Sequence, residues 1–177
     1  HMGFKTCQIM TFLKLCISLM IGIGAFIACN QDQPLKKEPQ DPDKQALQDT
    51  TLIVGTYFGF CRTPESCVHV YQIANGKVYA DTTHHYPYDT SGYKFKVLPD
   101  TPYPKVNQLK AAFPRRILTD TTTKLGCPDC ADQGGYYVAL KADGYQQEWL
   151  IDQDLDAVSP YLHPFLRKVN SAVQELP

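Results

Sequence analysis

Apolar side chains are spread unevenly along this chain, and that spread limits where it can fold. Leu15 to Ala28 is a run of 14 apolar or small residues. A spanning helix needs roughly 20, so the run is too short to cross a bilayer and has the length of a signal-peptide core. Asn30 to Gln45 is polar and punctuated by Pro34, Pro39 and Pro42. Such a stretch cannot bury enough surface to offset the entropy of ordering, and its prolines bias it toward an extended tether. Only from Thr51 onward are apolar residues dense enough for a core. The expected organisation is a leader over 1–28, a tether over 29–50 and one globular domain over 51–177. His1 precedes Met2 and reads as an expression scar.

The leader ends in Phe26-Ile27-Ala28-Cys29. This resembles the lipobox of bacterial lipoproteins, in which the cysteine becomes the lipidated first residue. The resemblance implies lipidation of Cys29 and attachment to the membrane through that anchor. Asn30, in place of the aspartate that holds enteric lipoproteins at the inner membrane, implies an outer-membrane lipoprotein facing the periplasm or the surface. Multiple acyl chains make a stable anchor where one binds only marginally.

Lys5 and Lys14 are the charged residues of 1–28, so its removal leaves 15 basic and 18 acidic side chains and a net charge of −3. That balance gives no electrostatic footprint for nucleic acid.

In the domain, Leu52–Phe58 and Cys67–Ile73 read as strands by their β-branched and aromatic content. Asn75-Gly76 is a strong hairpin signal, because both central residues of a type I′ turn need positive φ. Lys77–Thr82 is the expected return strand and Tyr93–Leu98 a fourth. Pro102 and Pro104 lead into a helix whose Val106, Leu109 and Phe113 share a face, ended by Pro114. Ile117 and Leu118 read as a further strand. Tyr136–Lys141 and Tyr145–Ile151 form a second hairpin around Ala142-Asp143-Gly144. A last helix starts at Ser159-Pro160, an N-cap followed by proline, with Leu162, Leu166, Val169, Val173 and Leu176 on its apolar face. His163-Pro164 inside it predicts a kink. The expected fold is α+β: an antiparallel sheet of hairpins with two helices, stapled by disulfides.

The domain holds Cys61, Cys67, Cys127 and Cys130, spaced C-x5-C and C-x2-C. An even number in an exported chain favours disulfides, and four cysteines allow three connectivities. Two other chemistries fit the same residues. Cys127-Pro128-Asp129-Cys130 has the spacing of a thiol–disulfide active pair, although acidic neighbours disfavour a thiolate. All four could hold structural zinc, with the first arm wider than usual.

Other candidates are less specific. His84 and His85 are adjacent, so on a strand they would face opposite ways. His69 sits between Val68 and Val70 as a packed strand residue. Asp152, Asp154 and Asp156 alternate like calcium ligands, but the glycine and distal glutamate of an EF-hand loop are missing. Tyr57, Tyr71, Tyr79, Tyr86, Tyr88, Tyr93 and Tyr103 suit either a recognition surface or half-buried strands. There is no G-x-S-x-G elbow, P-loop, dinucleotide glycine fingerprint or H-E-x-x-H, so no cofactor is expected.

Cys127-Pro128-Asp129-Cys130-Ala131-Asp132-Gln133-Gly134-Gly135, with Trp149-Leu150-Ile151-Asp152 and Tyr161-Leu162-His163-Pro164-Phe165, resembles a family of small uncharacterised lipoproteins of Bacteroidota-type bacteria. The resemblance spans roughly residues 52–176. It implies a cell-envelope address and carries over no activity and no functional residue. The sequence therefore points to a binding or accessory module for an envelope partner more than to an enzyme.

Overall fold

A computed structural model describes residues 49–89, 92–99 and 103–177. The leader, Cys29 and most of the tether lie outside the described residues. The centre of the domain is β1, Thr51–Tyr57, whose side chains are buried on both faces from Leu52 onward. Leu52, Ile53, Val54 and Tyr57, on alternating faces, suit a strand covered on both sides. On one flank β1 pairs antiparallel with β2, Val68–Ala74. Asn75 (φ 51°) and Gly76 (φ 70°) then turn the chain into β3, Lys77–Asp81, which pairs with β4, Phe95–Val97. On the other flank β1 pairs with β6, Gly135–Ala142, and β6 with β7, Tyr145–Asp152. With β5 at Lys124–Leu125, the seven-stranded order is β4-β3-β2-β1-β6-β7-β5.

The fold is α+β with an antiparallel sheet, apart from one pair. β5, Lys124–Leu125, is a two-residue edge strand that runs parallel to β7. The edge strands are short, with β4 of three residues and β5 covering only Leu150 and Ile151 of β7.

Helices cover one face. α1, Pro104–Asn107, and α2, Leu109–Ala112, are successive short turns in place of the single expected helix, and α3 is His163–Val173. Val106, Leu109 and Phe113 still share a buried face, so the spacing marked the right residues. They pack with Leu52, Val54, Val138, Trp149, Phe165 and Leu166. Phe113 lies 6.2 Å from Trp149 and 5.8 Å edge-on from Phe165, ring centre to ring centre.

Four local expectations are corrected. Arg115–Thr119, which includes Ile117 and Leu118, is a 3-10 turn. Ile117 is fully buried while Leu118 is 37 % exposed. One inward side chain needs no strand. Ser159 makes no side-chain cap, and the segment it opens is a 3-10 turn, Pro160–Leu162, ahead of α3. His163-Pro164 begins α3, where proline's missing N–H breaks no helical bond, so no kink arises. Leu176 packs on the core from beyond the helix end.

The second face of the sheet buries Ile53, Tyr57, Val68, Val70, Tyr137 and Ala139. It is covered by the segment between β3 and β4. The Asp81 carboxylate, itself buried, accepts from Thr83 Oγ1 (2.9 Å), His84 N (2.7 Å) and Lys94 N (2.8 Å). One side chain thus ties both ends of the segment to the sheet. Among the described residues no helix is long and apolar enough to cross a membrane.

Candidate functional site

Three loops meet at the end of the sheet where β1 stops and β6 starts. The first joins β1 to β2. Cys61 and Cys67 pair across it with Cα atoms 6.0 Å apart, inside the range a disulfide spans. Pro64–Ser66 forms a 3-10 turn, closed by Ser66 Oγ donating to the Thr63 carbonyl (2.8 Å). Backbone and Thr63 hydrogen bonds hold the Glu65 carboxyl below its ordinary value. Phe58 and Phe60 are pushed outward, 42 % and 88 % exposed.

The second loop precedes β6. Cys127 and Cys130 pair with Cα atoms 5.5 Å apart. Asp129 (φ 61°) and Asp132 (φ 57°) adopt the left-handed region that aspartate tolerates. The loop is internally bonded. Gln133 Nε2 donates to the Cys127 carbonyl (2.9 Å), Ala131 N to Gln133 Oε1 (2.7 Å), and Gly134 N to Asp129 Oδ1 (3.2 Å). Cys127 N donates to the buried Asp152 carboxylate (2.8 Å). The two disulfide loops press together. A Cβ on Gly59 would overlap Asp129, and one on Gly134 would overlap the Tyr57 carbonyl.

The third loop is the segment tied by Asp81. Tyr86 Oη donates to the Phe58 carbonyl (2.9 Å), which locks this loop to the first. Tyr86 stacks on Tyr88 at 5.3 Å and meets Tyr57 edge-on at 6.5 Å. Tyr88 is 59 % exposed. Its phenol is pushed above the ordinary value, first by burial of its polar end, then by Asp129, Tyr86 and Asp132. Burial and then Asp129 act on Tyr57 in the same direction. The carboxylates and rings therefore share one locality.

The result is a three-loop platform, two of its loops closed by disulfides, that carries the exposed Phe58, Phe60 and Tyr88 together with Asp129 and Asp132. Of six large apolar side chains exposed among the described residues, Phe58, Phe60 and Tyr88 belong to it.

The other sequence candidates hold structure. His84 Nδ1 lies 3.0 Å from the Val68 carbonyl and His85 Nδ1 3.2 Å from that of Gly92. His163 Nε2 lies 3.1 Å from the Val158 carbonyl. The aspartates fold their own loop. Asp152 accepts from Asp154 N (2.9 Å) and Asp154 from Asp156 N (3.0 Å). His69, Asp81 and His84 line a cleft of about 350 Å³ beside β2. There Asp81 is spent on the loop, and Tyr71 Oη donates to the Pro177 carbonyl (2.6 Å). Among the described residues, no three His, Cys, Asp or Glu side chains are grouped to hold a metal ion. The four cysteines stand as two separate pairs, not as one ligand set.

Sequence reasoning found the cysteines and Tyr88 but missed Phe58, Phe60, Asp129 and Asp132 as one surface. The available signal was Phe-Gly-Phe-Cys, with aromatics two apart beside a disulfide loop. In comparisons with known proteins, the chain matches no family model and no curated protein.

Proposed function

We propose that this is a lipid-anchored cell-envelope protein, tethered through Cys29 to the outer membrane, whose domain is a binding module for an envelope partner. The observation that carries the binding reading is the platform of Phe58, Phe60 and Tyr88, displayed on pinned loops. Aromatic anchors held rigid before contact lose little freedom on binding, which favours affinity. The apolar run ending at Cys29 and the resemblance to small envelope lipoproteins support the address. Two disulfides suit an oxidising compartment.

A thiol–disulfide reading has one observation in its favour: Cys127 and Cys130 are both exposed. Against it, the stretch after Cys130 is a turn and not a helix, and Asp129 and Asp132 flank the pair. Both features disfavour a thiolate. A zinc module on Cys61, Cys67, Cys127 and Cys130 would need both pairs reduced and brought together.

Two measurements test the proposal. In bacteria producing the full chain and fed an alkynyl fatty acid, label should enter the wild type and be lost in Cys29→Ala. Unlabelled wild type would overturn the anchor. A photo-crosslinking residue at position 60 should give a discrete envelope adduct, while one at Tyr145, on the hairpin at the far end of the sheet, should not. Equal yields at both, or none at 60, would overturn the binding module. Labelling of Cys127 and Cys130 by alkylating agent after mild reductant alone would favour the redox reading.

A further inference from the structure

The charge of this chain is not evenly placed. The loops 58–67, 82–94 and 126–134 carry Glu65, Asp89, Asp129 and Asp132 against Arg62 and Lys94, a net −2. Residues 51–177 carry 12 basic and 13 acidic side chains, a net −1, so the rest of the domain sums to +1. These segments are the three loops that converge on the aromatic platform. The end of the sheet where β1 stops therefore combines negative charge with exposed aromatic rings.

We propose that this end of the domain docks a basic segment of a partner protein, with lysine or arginine side chains lying over the rings of Phe58, Phe60 and Tyr88 and reaching Asp129 and Asp132. The inference rests on the binding reading and gives it a partner chemistry. A guanidinium or ammonium is attracted to a ring face by the ring's negative quadrupole, and arginine does so most often. Its apolar stem covers ring surface while its charged head stays at the wet carboxylate. An acidic segment would meet like charge here. A neutral one would leave the negative charge unmatched. Fixed loops favour such a match. Gln133 and the Cys127–Cys130 pair hold Asp129 and Asp132 in place, and Tyr86 holds Phe58 through its carbonyl.

The test is fluorescence anisotropy of the full chain in nonionic detergent with three labelled probes. They are a capped Gly-Arg-Gly-Lys-Gly-Arg peptide, its Glu/Asp counterpart and cellohexaose. The basic peptide should bind and the acidic one should not, with affinity falling as salt rises. Asp129→Asn with Asp132→Asn should weaken it about tenfold, as should Phe60→Ser. Asparagine tolerates the positive φ of both positions, and Phe60 is 88 % exposed, so these variants keep their fold. Tyr145→Ser, outside the platform, should change nothing. Binding of the basic peptide that ignores all three substitutions, or preference for the acidic peptide or the sugar, would overturn the proposal. If position 60 crosslinks to an envelope partner while the basic peptide fails to bind, the module stands and the basic partner falls. If both fail, the binding reading falls with it.

Discussion

Two glycines with nearly the same φ separate backbone strain from lack of space. Gly76 (φ 70°) has open space around it, so Gly76→Ala carries only the left-handed penalty, about 1 kcal/mol. Gly134 (φ 75°) carries that strain and also lies against the Tyr57 carbonyl and Phe58 Cα. Gly134→Ala should cost about 3 kcal/mol or more, read as the shift in urea midpoint at unchanged slope. The tyrosines make a second residue-scale prediction. Burial, with help from nearby carboxylates, raises the phenols of Tyr57, Tyr93 and Tyr137 above their ordinary 10.0. Above pH 10.0 the unfolded chain loses these protons while the folded chain keeps them, so stability is full below that pH and falls as pH rises. Each tyrosine can add a slope of about 1.4 kcal/mol per pH unit. Phenolate absorbance should appear together with loss of tertiary signal, and gradual titration of folded protein would contradict this. Among the described residues Tyr93 Oη is buried with no hydrogen-bond partner, whereas Tyr137 Oη donates to Glu148 (2.6 Å). Tyr93→Phe should therefore be neutral or stabilising, and Tyr137→Phe destabilising by about 1 kcal/mol. Thermal melts of the two variants compare them directly.

At the scale of elements, the hairpins were readable and the segments between them were not. Asn75-Gly76 needs only local φ values, which two residues supply by themselves. Ile117-Leu118 has strand composition, but strands need a partner, and the edge of β7 is taken by Lys124–Leu125 instead. That two-residue pairing leaves no periodicity to detect. α3 is stabilised by the face it buries. Phe165, 1 % exposed, packs edge-on to Phe113 and contacts the sheet's core. Phe165→Ala should cost about 3–5 kcal/mol, against near zero for the exposed Arg167→Ala on the same helix, by chemical denaturation.

For the whole molecule, the disulfides are local staples on a sheet that holds itself together. Each closes a very short loop, so the chain-entropy view gives each about 2 kcal/mol. Replacing Cys127 and Cys130 with serine should lower the melting temperature modestly and leave far-UV circular dichroism unchanged. Loss of folded structure would mean the staple does more than restrict the unfolded chain. The sequence by itself determined where the core-forming domain begins, since dense apolar residues start at Thr51 and so does β1, because burial capacity is set by composition along the chain. It also determined the α+β class and its hairpins, because strand alternation and turn φ are short-range properties. It left three cysteine connectivities open, and only the tertiary structure chose Cys61–Cys67 and Cys127–Cys130. The gathering of Phe58, Phe60, Tyr88, Asp129 and Asp132 was likewise a tertiary matter. It depends on β6, more than 70 residues after β1, pairing Gly135 with Tyr57. Long-range register carries no signature in any local window, so a surface built from three distant loops becomes visible only once the strands have paired.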